Sequence, residues 1–278
     1  MFNITDRNII AWNGIFITVA PNPGRTAIRL LLSHIAEQPI GIRHRRINII
    51  LSSGETFREG WTDTLVPALN TTSSRLHLVN WHHTCEYVDK GGKLLKRRDY
   101  GSIARYWKDC VEEPLGRWRR KVFEGNRFWP SLSRPTPPHF DYVIEETTGN
   151  CSLGLNEPGS NFSSPTRFMD LSDETIEEIR PNLVPTDLTP HTRGITLGLG
   201  DIAKGRIMIL AARGENKIKP VLKAIFYPPS KNYPASIAQR MAAKDKKVVF
   251  VVSPEIFAAI QQEMKERIIP TRPKRARW

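Results

Sequence analysis

Short, almost continuous apolar runs recur along the chain, separated by longer stretches in which apolar residues return every three or four positions. Ile15–Val19, Ile47–Leu51, Leu76–Asn80, His139–Ile144, Arg206–Ala211 and Lys247–Val252 read as strands. Strands apolar on both faces have to be buried on both, which is the property of parallel sheets. Arg25–Glu37, Phe57–Leu69, Tyr100–Val111, Glu215–Ala224, Ala235–Ala243 and Glu255–Arg267 carry the helical period. Alternation of the two predicts an α/β fold: a three-layer, mostly parallel, doubly wound sheet with helices on both faces. Such a sheet gathers its ligand site at the carboxyl ends of the strands, beside the point where strand order reverses. The loops expected to carry chemistry therefore start at Ser52, Trp81, Glu145 and Ala212. The Pro-rich stretch Trp129–Pro138, preceded by basic residues, marks an insertion near 112–138, and residues 181–193 form another irregular link. The organisation read from this pattern is one domain over 1–268, without internal repeats, followed by a basic tail at 269–278.

Composition adds one unusual feature. The chain has 278 residues, 40% of them hydrophobic and 25% charged, which suits a globular protein, but its formal net charge is +13. Such a surface attracts anionic partners. The basic residues are spread over Arg43–Arg46, Lys93–Arg98, Arg117–Lys121 and Arg272–Arg277 rather than gathered in one stripe, which favours a small anion over nucleic acid. Cys85, Cys110 and Cys151 form neither a CxxC pair nor a zinc spacing, and the odd count argues against a disulfide framework. No basic-then-apolar leader is read at Met1–Arg7, and no run of about 18 apolar residues is present. The expectation is a soluble, cytoplasmic protein without membrane contacts.

The segment Gly154-Leu155-Asn156-Glu157-Pro158-Gly159-Ser160-Asn161-Phe162-Ser163-Ser164-Pro165-Thr166-Arg167 resembles the asparagine–glutamate–proline–glycine loop of glucosamine-6-phosphate deaminases/isomerases. Three shorter matches fall in the same order: Ser53-Gly54-Glu55-Thr56, Cys85-Glu86-Tyr87-Val88, and Ile195 to Gly200 followed by Gly214-Glu215-Asn216-Lys217. The resemblance runs from about Ile47 to Pro254, interrupted around 112–138. It implies the fold of that family, which 6-phosphogluconolactonases share, and a small-molecule sugar phosphate as partner. It implies no cofactor and no metal, and it leaves a homo-oligomer open.

The family reaction moves a proton between C1 and C2 of an opened sugar and needs placed acids and bases. The resemblance assigns such roles to four positions. Here they are Cys85, Asn150, Ser152 and Glu157, and only Glu157 keeps the family's residue type. An amide holds no proton-accepting charge, and a serine titrates far from neutrality. Cys85 would serve as base or nucleophile only as a low-pKa thiolate. Ser53, Gly54, Thr56 and Lys217 match the family's phosphate grip, with Glu55 as a departure beside it. Ser160 and Arg167 match residues that bind an allosteric phosphate in bacterial deaminases, with bracing of the Asn156–Glu157 loop as the alternative. A metal or redox site of His82, His83, Cys85 and Cys151, and His191 as a replacement imidazole, are less favoured readings. The expected function is binding of a phosphorylated (amino) sugar with altered or lost aldose–ketose isomerase/deaminase activity. A catalytically silent sensor or regulatory subunit, or a 6-phosphogluconolactonase-like hydrolase, are the alternatives. No helix-turn-helix segment is read at either end.

Overall fold

A computed structural model describes residues 9–37, 46–52, 54–70, 75–116, 122–123, 125, 127–183 and 191–268. Eight strands form the main sheet: β1 (Ile9–Trp12), β2 (Ile15–Val19), β3 (Ile47–Leu51), β4 (Val79–His83), β6 (Arg127–Phe128), β7 (Phe140–Glu146), β10 (Gly205–Ala212) and β11 (Lys247–Val252). Their spatial order is β1-β2-β11-β10-β7-β3-β4-β6. All neighbours are parallel except the β1–β2 hairpin. Three further strands, β5 (Cys85–Tyr87), β8 (Arg167–Asp170) and β9 (Arg193–Thr196), make a small antiparallel sheet in the order β5-β9-β8.

Two apolar layers sandwich the main sheet. On one face Ile49, Leu51, Trp81, Ile144 and Val249 pack against the Pro23–Ala36 helix and the helical segment 55–70. On the other, Ile17, Ile50, Val143, Leu210 and Phe250 pack against the helices Ile218–Phe226, Ile237–Ala242 and Pro254–Ile268. Sequence neighbours such as Ile49 and Ile50 thus enter opposite layers, which is why these strands are apolar without alternation. Asn22 caps the first of these helices by accepting from Arg25 N–H at 2.8 Å, and Pro23 opens its first turn.

The strands Ile15–Val19, Ile47–Leu51 and Lys247–Val252 fall where the apolar pattern puts them. Two others correct it. Leu76–Leu78 belong to a 3-10 turn, and β4 starts at Val79 and continues through Trp81, His82 and His83. Those polar aromatics are buried in ring stacks, so their polarity does not mark a strand end. In the same way β7 runs past Ile144 through Glu145 and Glu146 instead of stopping before them. The helix Asp173–Leu183, rich in charge, reaches into the stretch expected to be irregular. The tail 269–278, Arg43–Arg45 and Arg117–Lys121 lie outside the described residues.

Candidate functional site

From β3 the chain moves outward to β4 and β6, then returns to add β7 on the other side of β3. Strand order therefore reverses between β3 and β7, and in open α/β sheets the carboxyl ends at such a reversal are where a ligand crevice lies. The residues that follow β3 (Gly54 to Thr56), those ending β7 (Glu145 and Glu146) and those following β10 (Gly214 to Lys217) meet there. Ser53, the first residue expected in the phosphate grip, lies outside the described residues.

Gly54, Thr56 and Lys217 converge around two carboxylates. Thr56 N–H donates to Glu146 Oε2 at 3.1 Å, and any side chain at residue 54 would overlap the Glu146 carboxylate. The Gly54 N–H turns to Ser52 Oγ at 3.2 Å. Lys217 is buried, and its ammonium is ion-paired with Glu178 of the Asp173–Leu183 helix. The second Glu178 oxygen accepts from Gly149 N–H at 2.6 Å. Burial raises the Glu146 carboxyl above its ordinary range, with Lys217 pulling the other way. Its neighbour Glu145 is wholly enclosed. One Glu145 oxygen accepts from the Thr84 hydroxyl, the other has no partner, and burial pushes its pKa up to about 8. Neither glutamate is distinguishable by pattern from a solvated acidic pair at a strand end, and the signal that marks them is their position after the apolar run of β7.

A second polar cluster lies after β7. Residues 148–152 form a tight turn closed by Cys151 N–H on Thr148 O at 3.0 Å. Cys151 adopts φ 71, a region that suits glycine and costs other residues roughly 1–2 kcal/mol. Asn150 Nδ2 donates to Glu157 Oε2 at 2.9 Å and to Thr175 Oγ1 at 2.9 Å. Ser172 adds its hydroxyl to Glu157 Oε2 at 3.0 Å. Ser152 is fully buried, with its N–H on Asn150 Oδ1 at 3.0 Å and its hydroxyl 2.5 Å from Thr148 Oγ1. Asn150, Ser152 and Glu157 are thus brought together, and their hydrogen-bonding groups are largely engaged with one another.

Cys85 lies in an apolar setting. It packs with Tyr87, Ile103, Leu155, Leu171 and Ile176, while Cys151 belongs to the layer beneath β10 and β11. Burial, with Glu145 and Glu86 nearby, pushes the Cys85 thiol well above its ordinary pKa. Such an environment favours the neutral thiol over the thiolate that a base at Cys85 would need. Glu86, next in sequence, accepts from Ile103 N–H and Ala104 N–H at 2.9 and 2.7 Å and serves a helix start. Arg167 Nη1 donates to Asn156 Oδ1 and Nη2 to Ser160 Oγ, both at 2.8 Å. In this geometry the pair expected to be allosteric braces the Asn156–Glu157 loop. Gly198 completes the brace, because a side chain there would collide with the carbonyls of Ser164 and Pro165.

The candidate imidazoles sit in aromatic stacks. His82 stacks on Phe128 at 4.7 Å, and burial, then Arg134, lower its pKa to about 4. His83 stacks on Trp129 at 3.9 Å beside a cavity of about 30 Å³, roughly the room of one water, under the Pro-rich segment. His191 stacks on Tyr87. Among the described residues no group of three or more His, Cys, Asp or Glu is arranged to hold a metal ion. No described helix is long and apolar enough to cross a membrane.

Sheet order and topology define a mostly parallel α/β fold of the kind found in glucosamine-6-phosphate deaminases and 6-phosphogluconolactonases. The chain superimposes on a monomeric glucosamine-6-phosphate deaminase with a TM-score of 0.69 and 19% identity, over 88% of this chain and 99% of the other. It superimposes on the 6-phosphogluconolactonase of Trypanosoma cruzi with a TM-score of 0.64 and 14% identity, over 87% and 95%. In sequence it is similar to the deaminases: 32% identical over 111 residues to glucosamine-6-phosphate deaminase of Oenococcus oeni, covering 37% of this chain and 47% of that protein. The corresponding enzyme of Streptococcus pyogenes serotype M49 is 32% identical over 100 residues, 36% of this chain and 42% of that protein. The chain thus spans a little under half the length of the curated relatives it matches. No family model matches it.

Proposed function

We propose that this chain binds a phosphorylated amino sugar in the crevice between the ends of β3, β7 and β10, with the family-type isomerase/deaminase chemistry altered or lost. The observation that carries this reading is that Gly54 and Thr56 sit against the Glu146 carboxylate, which also feels the buried Lys217 ammonium. A helix-start amide and a buried ammonium are phosphate-binding groups. Glu157 supplies a carboxylate one loop away. Its neighbours Asn150 and Ser152 offer an amide and a hydroxyl, neither of which titrates near neutral pH, so proton transfer there lacks two of the four positions the resemblance assigns to it.

A silent binder, acting as a sugar-phosphate sensor or regulatory subunit, is the form of this reading that the Asn150–Glu157–Ser172 network favours, because that carboxylate already accepts hydrogen bonds from within the protein. The test is a thermal-shift panel of glucosamine 6-phosphate, fructose 6-phosphate and 6-phosphogluconolactone, with product analysis on the same samples. The reading expects a rise in Tm with at least one of them and little or no turnover. Rapid conversion of any of them, abolished by Glu157→Gln, overturns the silent form. No stabilisation by any of them overturns the binding reading itself.

A further inference from the structure

The groups best suited to hold a phosphate already hold carboxylates of the chain itself. Thr56 N–H points at Glu146 Oε2, 3.1 Å away, and the Glu146 carboxylate fills the space beside Gly54. Lys217 is paired with Glu178, whose other oxygen takes Gly149 N–H at 2.6 Å. The two acids come from different elements, Glu146 from the end of β7 and Glu178 from the Asp173–Leu183 helix. The Lys217 ammonium pairs with Glu178 and also exerts its field on Glu146. A phosphate dianion brought to Thr56 and Lys217 would meet both acids at short range, in a partly desolvated crevice where like charges repel strongly.

We propose that Glu146 and Glu178 are specificity-determining residues that occupy the anion cradle, so that a phosphorylated ligand binds only by displacing Glu146 from Thr56 and Glu178 from Lys217. The inference rests on the sugar-phosphate reading of the crevice. It gives the glutamates a role that neither a helix cap nor a surface ion pair supplies: they set a threshold that weakly bound anions do not cross. A ligand with further contacts, such as sugar hydroxyls, crosses it more easily than a bare anion.

The test is calorimetric titration of the full chain at pH 7.5 with inorganic phosphate and, separately, with glucosamine 6-phosphate. Wild type is compared with Glu146→Gln and Glu178→Gln, which keep size and an acceptor oxygen but remove the charge. Circular dichroism checks that each is folded, and either variant alone suffices if the other is not. The proposal expects each variant to bind both probes at least 10-fold more tightly than wild type, and expects this gain to disappear when Lys217→Ala is added. Binding by wild type that neither variant improves overturns the proposal and leaves the sugar-phosphate reading standing. Tight binding by the variants and none by wild type supports the proposal. Absence of binding in wild type and in both folded variants overturns the proposal together with the reading beneath it.

Discussion

The side-chain amide of Asn150 donates to Glu157 Oε2 across 2.9 Å, so the carboxylate is held by a neutral neighbour rather than by a second acid. Thr175 and Ser172 extend the contact into a network that ties the turn after β7 to the Asp173–Leu183 helix.

Asn150→Asp places two carboxylates within hydrogen-bond range. One of them then keeps a proton in the folded state that the unfolded chain releases near pH 4. A raised folded pKa of an acid means stability that is present at low pH and lost as pH rises. The variant is expected to match wild type at pH 4.5 in urea unfolding and to lose about 1–3 kcal/mol at pH 7.5. Adding Ser152→His forces an imidazole into a fully buried serine site, at a further cost of about 1–3 kcal/mol. This double variant is expected to show no deaminase turnover, and recovered turnover would refute the closed-network description.

Glu145 has a folded pKa of about 8 because it is enclosed, and Glu86 one of about 7 for the same reason. Both hold protons that the unfolded chain gives up near pH 4.3. Their contribution to stability is therefore complete below that value and declines as pH rises toward 7 and 8, each by on the order of 1.4 kcal/mol per pH unit. Glu145→Gln retains an acceptor for Thr84 and cannot ionise. Its Tm is expected to gain on wild type steadily between pH 5 and 8. A constant difference across that range would show that Glu145 is charged in the fold.

Burial raises all three thiol pKa values, but Cys85 and Cys151 are buried whereas Cys110 is half-buried and reachable. Iodoacetamide labelling of the native protein at pH 7.5, followed by peptide mass spectrometry, should modify Cys110 first and leave Cys85 unmodified until the chain unfolds. Fast labelling of Cys85 would restore it as a thiolate candidate.

Arg167→Ala removes two hydrogen bonds from the Asn156–Glu157 loop, one to Asn156 and one to Ser160. If the arginine is a brace, the variant loses about 1–3 kcal/mol with or without added phosphate. Unchanged stability without phosphate, combined with a lost response to phosphate, would instead mark a ligand site.

Much of the fold is readable because β2, β3 and β11 are apolar runs with clear breaks. β4 and β7 are harder to delimit, since His82, His83, Glu145 and Glu146 are polar residues buried by tertiary contacts that no local pattern encodes. β5, β8 and β9 are only three or four residues long and pair with partners up to about 110 positions away, so nothing local announces them. At the candidate site, the Asn156–Arg167 motif leads to the loop whose Glu157 meets Asn150, and Lys217 to the corner where it pairs with Glu178. Glu178 escapes notice because its partner Lys217 is 39 residues away in sequence. The thiol environment of Cys85 is likewise a property of packing.

The central claim is that a phosphorylated sugar binds through Lys217 in a crevice that no longer runs the deaminase reaction. Calorimetric titration of wild type and Lys217→Ala with glucosamine 6-phosphate, with fructose 6-phosphate and ammonia assayed in the cell contents afterwards, tests it directly. Saturable binding by wild type, loss of at least 10-fold in affinity in the variant, and no product in either is the predicted result. Equal affinity in the two proteins, or product formed by wild type at an ordinary enzymatic rate of about 1 per second or faster, would contradict it.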